Sequence, residues 1–407
     1  MIENLIERFF KAASMQRWND LIRPVELTEL DKQSHKMIIA YVIAKIEEDS
    51  KNVKIDWIKL IDGFLFEFLY RLVLTDIKPQ VFHKIREKKG DELNHHVLKE
   101  LKPDFEGFNE LFHKFEDYLL NPEITLEKRI VRASHYLATN WEFKIIYHTA
   151  PFIYGIDKTK ENIENQIEDH YDLVGVQKIL LGKKSFGFID LCGQLRFQKR
   201  WAQSPRIPQT SVLGHMLMVG IISYLSTMEM NPKACGKRHI NNFFGGLFHD
   251  LPEALTKDII SPVKKGADLE NIIKEYEMER MKEEVYPLIP KLWYDELQYF
   301  TDDEFENKIK KGDEVKKVKN INDFNDDNFS PIDGQLIDIC DQLAAFIEAD
   351  LSRKHGITSE ALENGWNSSI DKFKTEKYSE YNKINFKKIL YYFKRRNFLK
   401  KRKEFEI

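Results

Sequence analysis

Apolar residues recur at three- and four-residue spacing along nearly the whole chain, as in MIIAYVIAKI (37–46), FLFEFLYRLVL (64–74), MLMVGIISYL (216–225) and LAAFIEADL (343–351). That spacing puts side chains on one face of a helix, whereas a half-buried strand needs strict alternation. Gly (18) and Pro (13) are sparse among 407 residues, so few breakers interrupt the pattern, and no convincing alternating run appears. The spacing predicts an all-α protein. The length fits two domains of ordinary size. A hydrophobic content of 42% with 12% aromatics is enough for two cores and excludes a disordered chain.

Charge and cysteine usage narrow the function classes. Lys and Arg (63) nearly balance Asp and Glu (66), so no whole-chain basic excess points to nucleic acid. Cys192, Cys235 and Cys340 lie far apart without a CxxC pair, which excludes a disulfide scaffold and a thiolate zinc finger and suits a reducing cytosol. The start, MIENLIERFF, carries Glu3 and Glu7 and no basic n-region, so it does not read as a signal peptide. MLMVGIISYL is about half the ~20 residues of a membrane-spanning helix. The expected setting is the cytoplasm, with no membrane partner.

Two segments differ from the rest. Residues 302–330 are charged, Asn-rich and weakly apolar, and read as a mobile surface insertion. Residues 383–403 carry Lys and Arg with no acid, interleaved with Phe386, Tyr391, Tyr392, Phe393 and Phe398. This segment reads first as a terminal helix with packed aromatics and solvated lysines. Nucleic-acid binding through 383–403 is the less favoured reading.

The chain also resembles itself. GFLFEFLYRLVLTDIKPQV (63–81) aligns without gaps on the segment starting at Gly245, with identity at Gly63/Gly245, Leu65/Leu247, Phe66/Phe248, Leu69/Leu251, Asp76/Asp258, Ile77/Ile259 and Val81/Val263. Upstream, Arg17-Trp18 falls opposite Arg200-Trp201 and His35 opposite His215; downstream, His135 falls opposite Asp341. The near-constant offset predicts a tandem duplication. Copy one spans 1–178 and copy two 179–407, the latter with the 302–330 insertion and the 383–403 segment.

In copy two, His215 lies on a helix that Ser211 can cap. LFHDLPEALTKD follows, with His249 and Asp250 adjacent in an apolar helix and about 100° apart around it. Glu253, four residues after His249, shares its face. Asp258 comes at the turn beyond, and Asp341 begins another apolar helix. Two imidazoles and two carboxylates form a mixed nitrogen/oxygen set suited to Mn, Co, Fe, Mg or Zn as a divalent cofactor. Each residue alone is weak evidence: a lone His on an apolar helix usually only packs. The order H…HD…E…D…D, each beside an apolar run, is what points to a site, because such groups are costly to bury without a ligand. No HExxH helix, GxxxxGK[ST] loop or GxGxxG after a strand is present.

The pattern H…HD…D resembles the HD-domain metal-dependent phosphohydrolases. The strings KRWAQSPRIPQTSVLGH, LFHDLPEALTKDIISPVKK and DQLAAF are similar to the bacterial 5′-deoxynucleotidase (YfbR-type) branch, over roughly 188–265 and 338–350. The resemblance implies two tandem HD-domain-like helical bundles, with His215, His249, Asp250 and Asp341 as metal ligands. It implies that Glu253 and Asp250 are catalytic, Glu253 handling the proton of the attacking water. Arg200, Trp201 and Asp258 would hold the nucleotide. The implied activity is hydrolysis of the 5′-phosphate of a (deoxy)nucleoside monophosphate. A phosphodiesterase or triphosphohydrolase is the alternative within the class, and a nucleotide-sensing interaction protein the alternative outside it. Gly214 stands where the branch often has an acid, and Pro252 replaces a small residue. In copy one Glu67, Phe68, Arg71 and His135 occupy the site positions, so that copy reads first as a degenerate scaffold, a pseudo-symmetric partner for copy two; the less favoured reading is that its retained Arg17, Trp18 and Asp76 bind a nucleotide without hydrolysing it. Homo-oligomers remain open.

Overall fold

The computed structural model describes residues 2–75, 77, 79–257, 269–312 and 314–403. Helices take 71% of the chain, and the described strands are two short ones, so the fold is all-α. The chain divides into two compact units, Met1–Gly193 and Gln194–Ile407. The division falls within the helix Lys184–Gln194, downstream of the 178/179 boundary expected from the sequence.

In the first unit the helix Glu29–Lys51 is the central member, buried along nearly its whole length. Thr28 caps it by accepting from the Asp31 N–H, and Asn52 closes it in the left-handed region at φ 52°. It packs on Leu126–Thr149 and on the short helix Val174–Leu180. Gly175 lets that short helix close in: a Cβ there would lie 2.8 Å from the Ile43 Cα. The Gly175 N–H in turn donates to Glu47 Oε1 at 2.9 Å.

The second unit is built around Val212–Glu229, which packs against Gly236–Phe248 and Gly334–Lys354. By length and composition Val212–Glu229 could cross a membrane, but 89% of its window is buried inside the protein, so it serves as the core helix. Its contact with Gly236–Phe248 is backbone against backbone. A Cβ on Gly246 would sit 2.9 Å from Gly220 Cα, and one on Gly220 would sit 2.9 Å from the Phe243 carbonyl. The crossing point lies five residues after His215 and three before His249, about 7 Å and 5 Å along the helix axes. Close approach here is what brings the two imidazoles together.

A polar staple fixes the third helix. Arg238, fully buried, donates to Asp333 Oδ2 at 3.2 and 2.5 Å, just ahead of Gly334–Lys354. Asn242 accepts from the Asp333 N–H at 2.9 Å and donates to Thr227 Oγ1 at 2.9 Å, so one side chain ties the starts and ends of three helices. Buried groups satisfied in this way specify register rather than merely filling space.

The 302–330 segment is folded, contrary to its expected character as a loose insertion. Lys308–Lys311 pairs antiparallel with Glu314–Lys317, and Lys308 bridges to Ile332. Ile309 and Ile321 are buried, and Lys308 Nζ donates to the Tyr299 carbonyl at 2.8 Å, near the end of the helix Tyr294–Thr301. Burial lowers the Lys308 ammonium to a pKa of about 8. The segment runs hard against the third helix: a Cβ on Gly334 would lie 2.3 Å from the Glu306 carbonyl. In the terminal helix Phe386–Lys403, Phe386 and Phe393 are buried and Tyr391 and Tyr392 are half-buried. Phe398 has a side chain outside the described residues.

Candidate metal centre

His215 is in the first turn of Val212–Glu229, where Ser211 accepts from the Gly214 N–H at 2.9 Å. A cap at this point fixes where the helix starts and so where His215 aims. Its Nε2 lies 2.7 Å from Asp341 Oδ1, and its Nδ1 lies 3.3 Å from Glu348 Oε1. Asp341 is the eighth residue of Gly334–Lys354, so the helix starts earlier than its sequence position suggested.

His249 is not inside a continuous helix with Glu253. Gly236–Phe248 stops at Phe248 with His249 as its C-cap; residues 250–252 form a turn, and a short helix, Glu253–Thr256, opens with Pro252 at its N-cap. Proline lacks the N–H that a continuing helix would need, so the break follows directly from Pro252. The expected sharing of one helical face by His249 and Glu253 is therefore replaced by a turn, in which the Glu253 N–H donates to the Asp250 carbonyl at 3.1 Å.

His249 Nδ1 meets the Gly246 carbonyl at 2.8 Å, which directs Nε2 inward. That Nε2 is buried and makes no hydrogen bond, yet it faces Asp250 Oδ2 at 3.1 Å and Asp341 Oδ1 at 3.9 Å. One ligand atom each from His215, His249 and Asp341 lies within 4.8 Å of the others, and the two rings are 5.6 Å apart. A buried imidazole nitrogen without a hydrogen bond, aimed at two carboxylates, is the arrangement a divalent cation would satisfy, so these residues fit such an ion. Burial alone would lower the pKa of both imidazoles, but the surrounding carboxylates outweigh it. His249 is raised to about 9 by Asp250 and then Asp341, and His215 is raised by Glu348 and Asp341. Asp250 and Asp341 are held below the usual carboxylate range, where the imidazoles beside them overcome burial.

Arg200 borders this cluster, with Nη1 3.6 Å from Asp250 Oδ2 and Nε 3.3 Å from Glu348 Oε2. Trp201 donates its indole N–H to Glu348 Oε2 at 3.1 Å, and a Cβ on Gly365 would lie 2.5 Å from its ring. The indole is thus wedged in place, and its backbone takes the left-handed φ of 58°. Glu253 is buried beside the turn, and Gln198 Nε2 donates to its backbone carbonyl at 3.1 Å. Asp258, like Asp76 of the first unit, lies outside the described residues.

Glu348 was not singled out in the sequence. It is fully buried and serves Arg200, Trp201, Arg206 and His215 at once, with Arg206 Nη1 at 3.3 Å. These cations overcome burial and keep it ionised. It stands seven residues after Asp341, on the same helix face, and the signal was an acid inside an apolar run, one of two there with Asp350. By accepting from His215 Nδ1 it leaves Nε2 as the ligand nitrogen. Glu348→Gln should weaken divalent-metal affinity by about 10–100-fold, read by competition with a chromogenic chelator; unchanged affinity would remove Glu348 from this role.

The first unit repeats part of the frame. The Arg17 N–H donates to the Leu27 carbonyl as the Arg200 N–H does to Thr210, and Trp18 also has positive φ, 54°. Trp18 donates to Glu142 at 2.9 Å, as Trp201 does to Glu348. Counting from the caps, Thr28 and Ser211, Lys32 and not His35 stands where His215 stands. Lys32 Nζ meets His135 Nδ1 at 2.6 Å in place of the His215–Asp341 contact. His35 instead binds the Ile189 carbonyl at 2.9 Å. Glu29 holds Arg17 at 2.8 Å, and Arg17 outweighs burial to keep it far below its ordinary range. A carboxylate lowered on folding adds stability above its unfolded pKa of about 4.5, and this is lost as pH falls below that value. Thermal midpoints should therefore drop below pH ~4.5, and Glu29→Gln should lower the midpoint at neutral pH while flattening that drop.

With fold and site in place, one family model matches part of the chain. Residues 192–369 match the HD domain family (HD_3: HD domain). HD domains are typically metal-dependent hydrolases that bind divalent cations. No curated protein and no solved structure matches the chain.

Proposed function

We propose that the second unit is a divalent-metal-dependent phosphohydrolase acting on the 5′-phosphate of (deoxy)nucleoside monophosphates. The observation that carries this reading is the convergence of His215, His249 and Asp341 ligand atoms within 4.8 Å. Asp250 and Arg200 stand at its edge.

His215, His249, Asp250 and Asp341 would hold the ion. When bound, the ion acidifies a water and neutralises phosphoryl charge. The chain's own groups supply the rest. Arg200, oriented by Glu348, offers guanidinium N–H groups to phosphoryl oxygens beside Asp250. Glu253 takes the proton of the attacking water and returns it to the leaving 5′-oxygen. Trp201, wedged against Gly365, holds the Arg200 backbone rather than swinging freely. Nucleotide specificity falls to groups beyond these, Asp258 among them. The two units derive, in this reading, from a tandem duplication in which the first lost its ligands. Three free cysteines suit a reducing cytoplasm.

The test is inorganic phosphate release from a panel of 5′-mono- and triphosphates with Mn, Co, Mg or chelator. Metal-dependent release from monophosphates is the expected result. Release from triphosphates alone, or silence with metal bound, would overturn the nucleotidase reading.

A further inference from the structure

The groups so far placed at the metal centre are suited to phosphate and to water, and they leave the rest of a nucleotide without a partner. Trp201 has little freedom to follow a base, since its indole N–H is held by Glu348 at 3.1 Å and its ring is wedged against Gly365. A second aromatic side chain borders the centre. The Phe305 ring lies 6.1 Å from the His249 ring and is inclined to it by 51°, within the range at which aromatic rings attract each other. The His249 side chain has no exposed surface, whereas Phe305 keeps 37% of its own in solvent. Glu304, the residue before it, stands by the same ligand turn. Burial raises its carboxyl above the ordinary range, and the charges of Lys274, His249 and Asp250 act on it as well.

A single exposed Phe on a protein surface usually means nothing. This one is set against a proposed ligand and its backbone is held from several sides. The Glu306 N–H donates to the Asp303 carbonyl at 2.9 Å, closing a turn over 303–306. Asp303 takes the left-handed φ of 46°, accepts from Lys274 Nζ at 2.6 Å and pairs with Lys317 at 2.8 Å. The Glu306 backbone is packed against Gly334 at the start of the helix that carries Asp341. A ring already fixed in this way loses little freedom when a flat partner covers it. We propose that Phe305 is a specificity-determining residue, the platform on which the substrate's base stacks while its 5′-phosphate sits at His215, His249, Asp250 and Asp341. The inference deepens the hydrolase reading and rests on it. Every base offers a π-face, so the platform favours nucleotides over sugar phosphates without choosing strongly among bases.

The test compares adenosine 5′-monophosphate with ribose 5-phosphate, which carries the same phosphate and sugar but no base, by metal-dependent phosphate release from the full chain. The nucleotide should be preferred in kcat/KM. In Phe305→Ala and Phe305→Leu that preference should shrink by about five- to a hundredfold, the scale of one base stacked on one aromatic, and through KM. Phe305→Tyr, which keeps the ring, should retain it. The side chain is partly exposed and its turn is held by other residues, so all three variants should keep the circular dichroism and thermal midpoint of the wild type. An unchanged preference in Phe305→Ala would overturn the proposal. So would a loss falling equally on both substrates, because Phe305 would then only support His249. Equal turnover of the two substrates by the wild type would remove the platform while leaving a metal-dependent phosphohydrolase. Silence on both with metal bound would instead overturn the nucleotidase reading, and this inference with it.

Discussion

Asp250→Ala is expected to abolish divalent-metal binding and phosphate release together. Its Oδ2 lies 3.1 Å from His249 Nε2 and 3.6 Å from Arg200 Nη1, so it is both the anionic member nearest the imidazole and the counterion of the arginine. Without it, two positive groups face each other across a site that must accept a dication, with Asp341 as the remaining carboxylate of the four proposed ligands. Loss of one ligand from such a set removes coordination and charge balance at once. The comparison variant is Asp250→Asn, which keeps shape and removes charge. Both should lose metal in equilibrium dialysis while the fold, held by the Arg238–Asp333 and Asn242 staple, persists. Full occupancy in Asp250→Ala would remove it from the ligand set.

How much of this was legible in the chain depends on which physical signal each feature leaves. The helical spacing in 37–46, 216–225 and 343–351 is strong because those faces are buried by neighbouring helices, and the all-α class follows from it. The Ser211 cap was readable because a hydroxyl at that position has one clear use. The turn at 250–252 was misread: adjacency of His249 and Asp250 suggested a helix face, whereas Pro252 ends it. The folded 302–330 segment was hidden because two buried isoleucines anchor a surface of charges, and no periodicity can report a backbone wedged against Gly334. Glu348 was invisible as a site residue because its partners, Arg200, Arg206 and His215, lie far away in sequence. His35 matches His215 in residue type, but the register that the Thr28 and Ser211 caps define sets Lys32 at the same distance from its cap as His215.

Glu253→Ala should behave differently, sparing metal affinity while lowering the rate of phosphate release by about two to four powers of ten, the scale of a lost acid–base step. It follows the ligand turn directly: the Asp250 carbonyl accepts the Glu253 N–H, and the Lys257 N–H returns to the Glu253 carbonyl at 2.9 Å. Its placement is thus set by backbone, and the substitution changes only the side chain at the start of a four-residue helix. In the sequence alignment Arg71 falls opposite Glu253, and the helix Trp57–Leu74 also ends on a positive-φ residue, Thr75 against Lys257. An arginine there would repel a dication. Single-turnover release with bound metal confirmed by dialysis separates the two functions: a rate loss at full metal occupancy assigns Glu253 to proton handling. A parallel loss of metal would make it a supporting part of the ligand turn. A full rate at full occupancy would hand the proton to another group, with Glu253→Gln expected to match Glu253→Ala only if ionisation and not bulk is what the reaction uses.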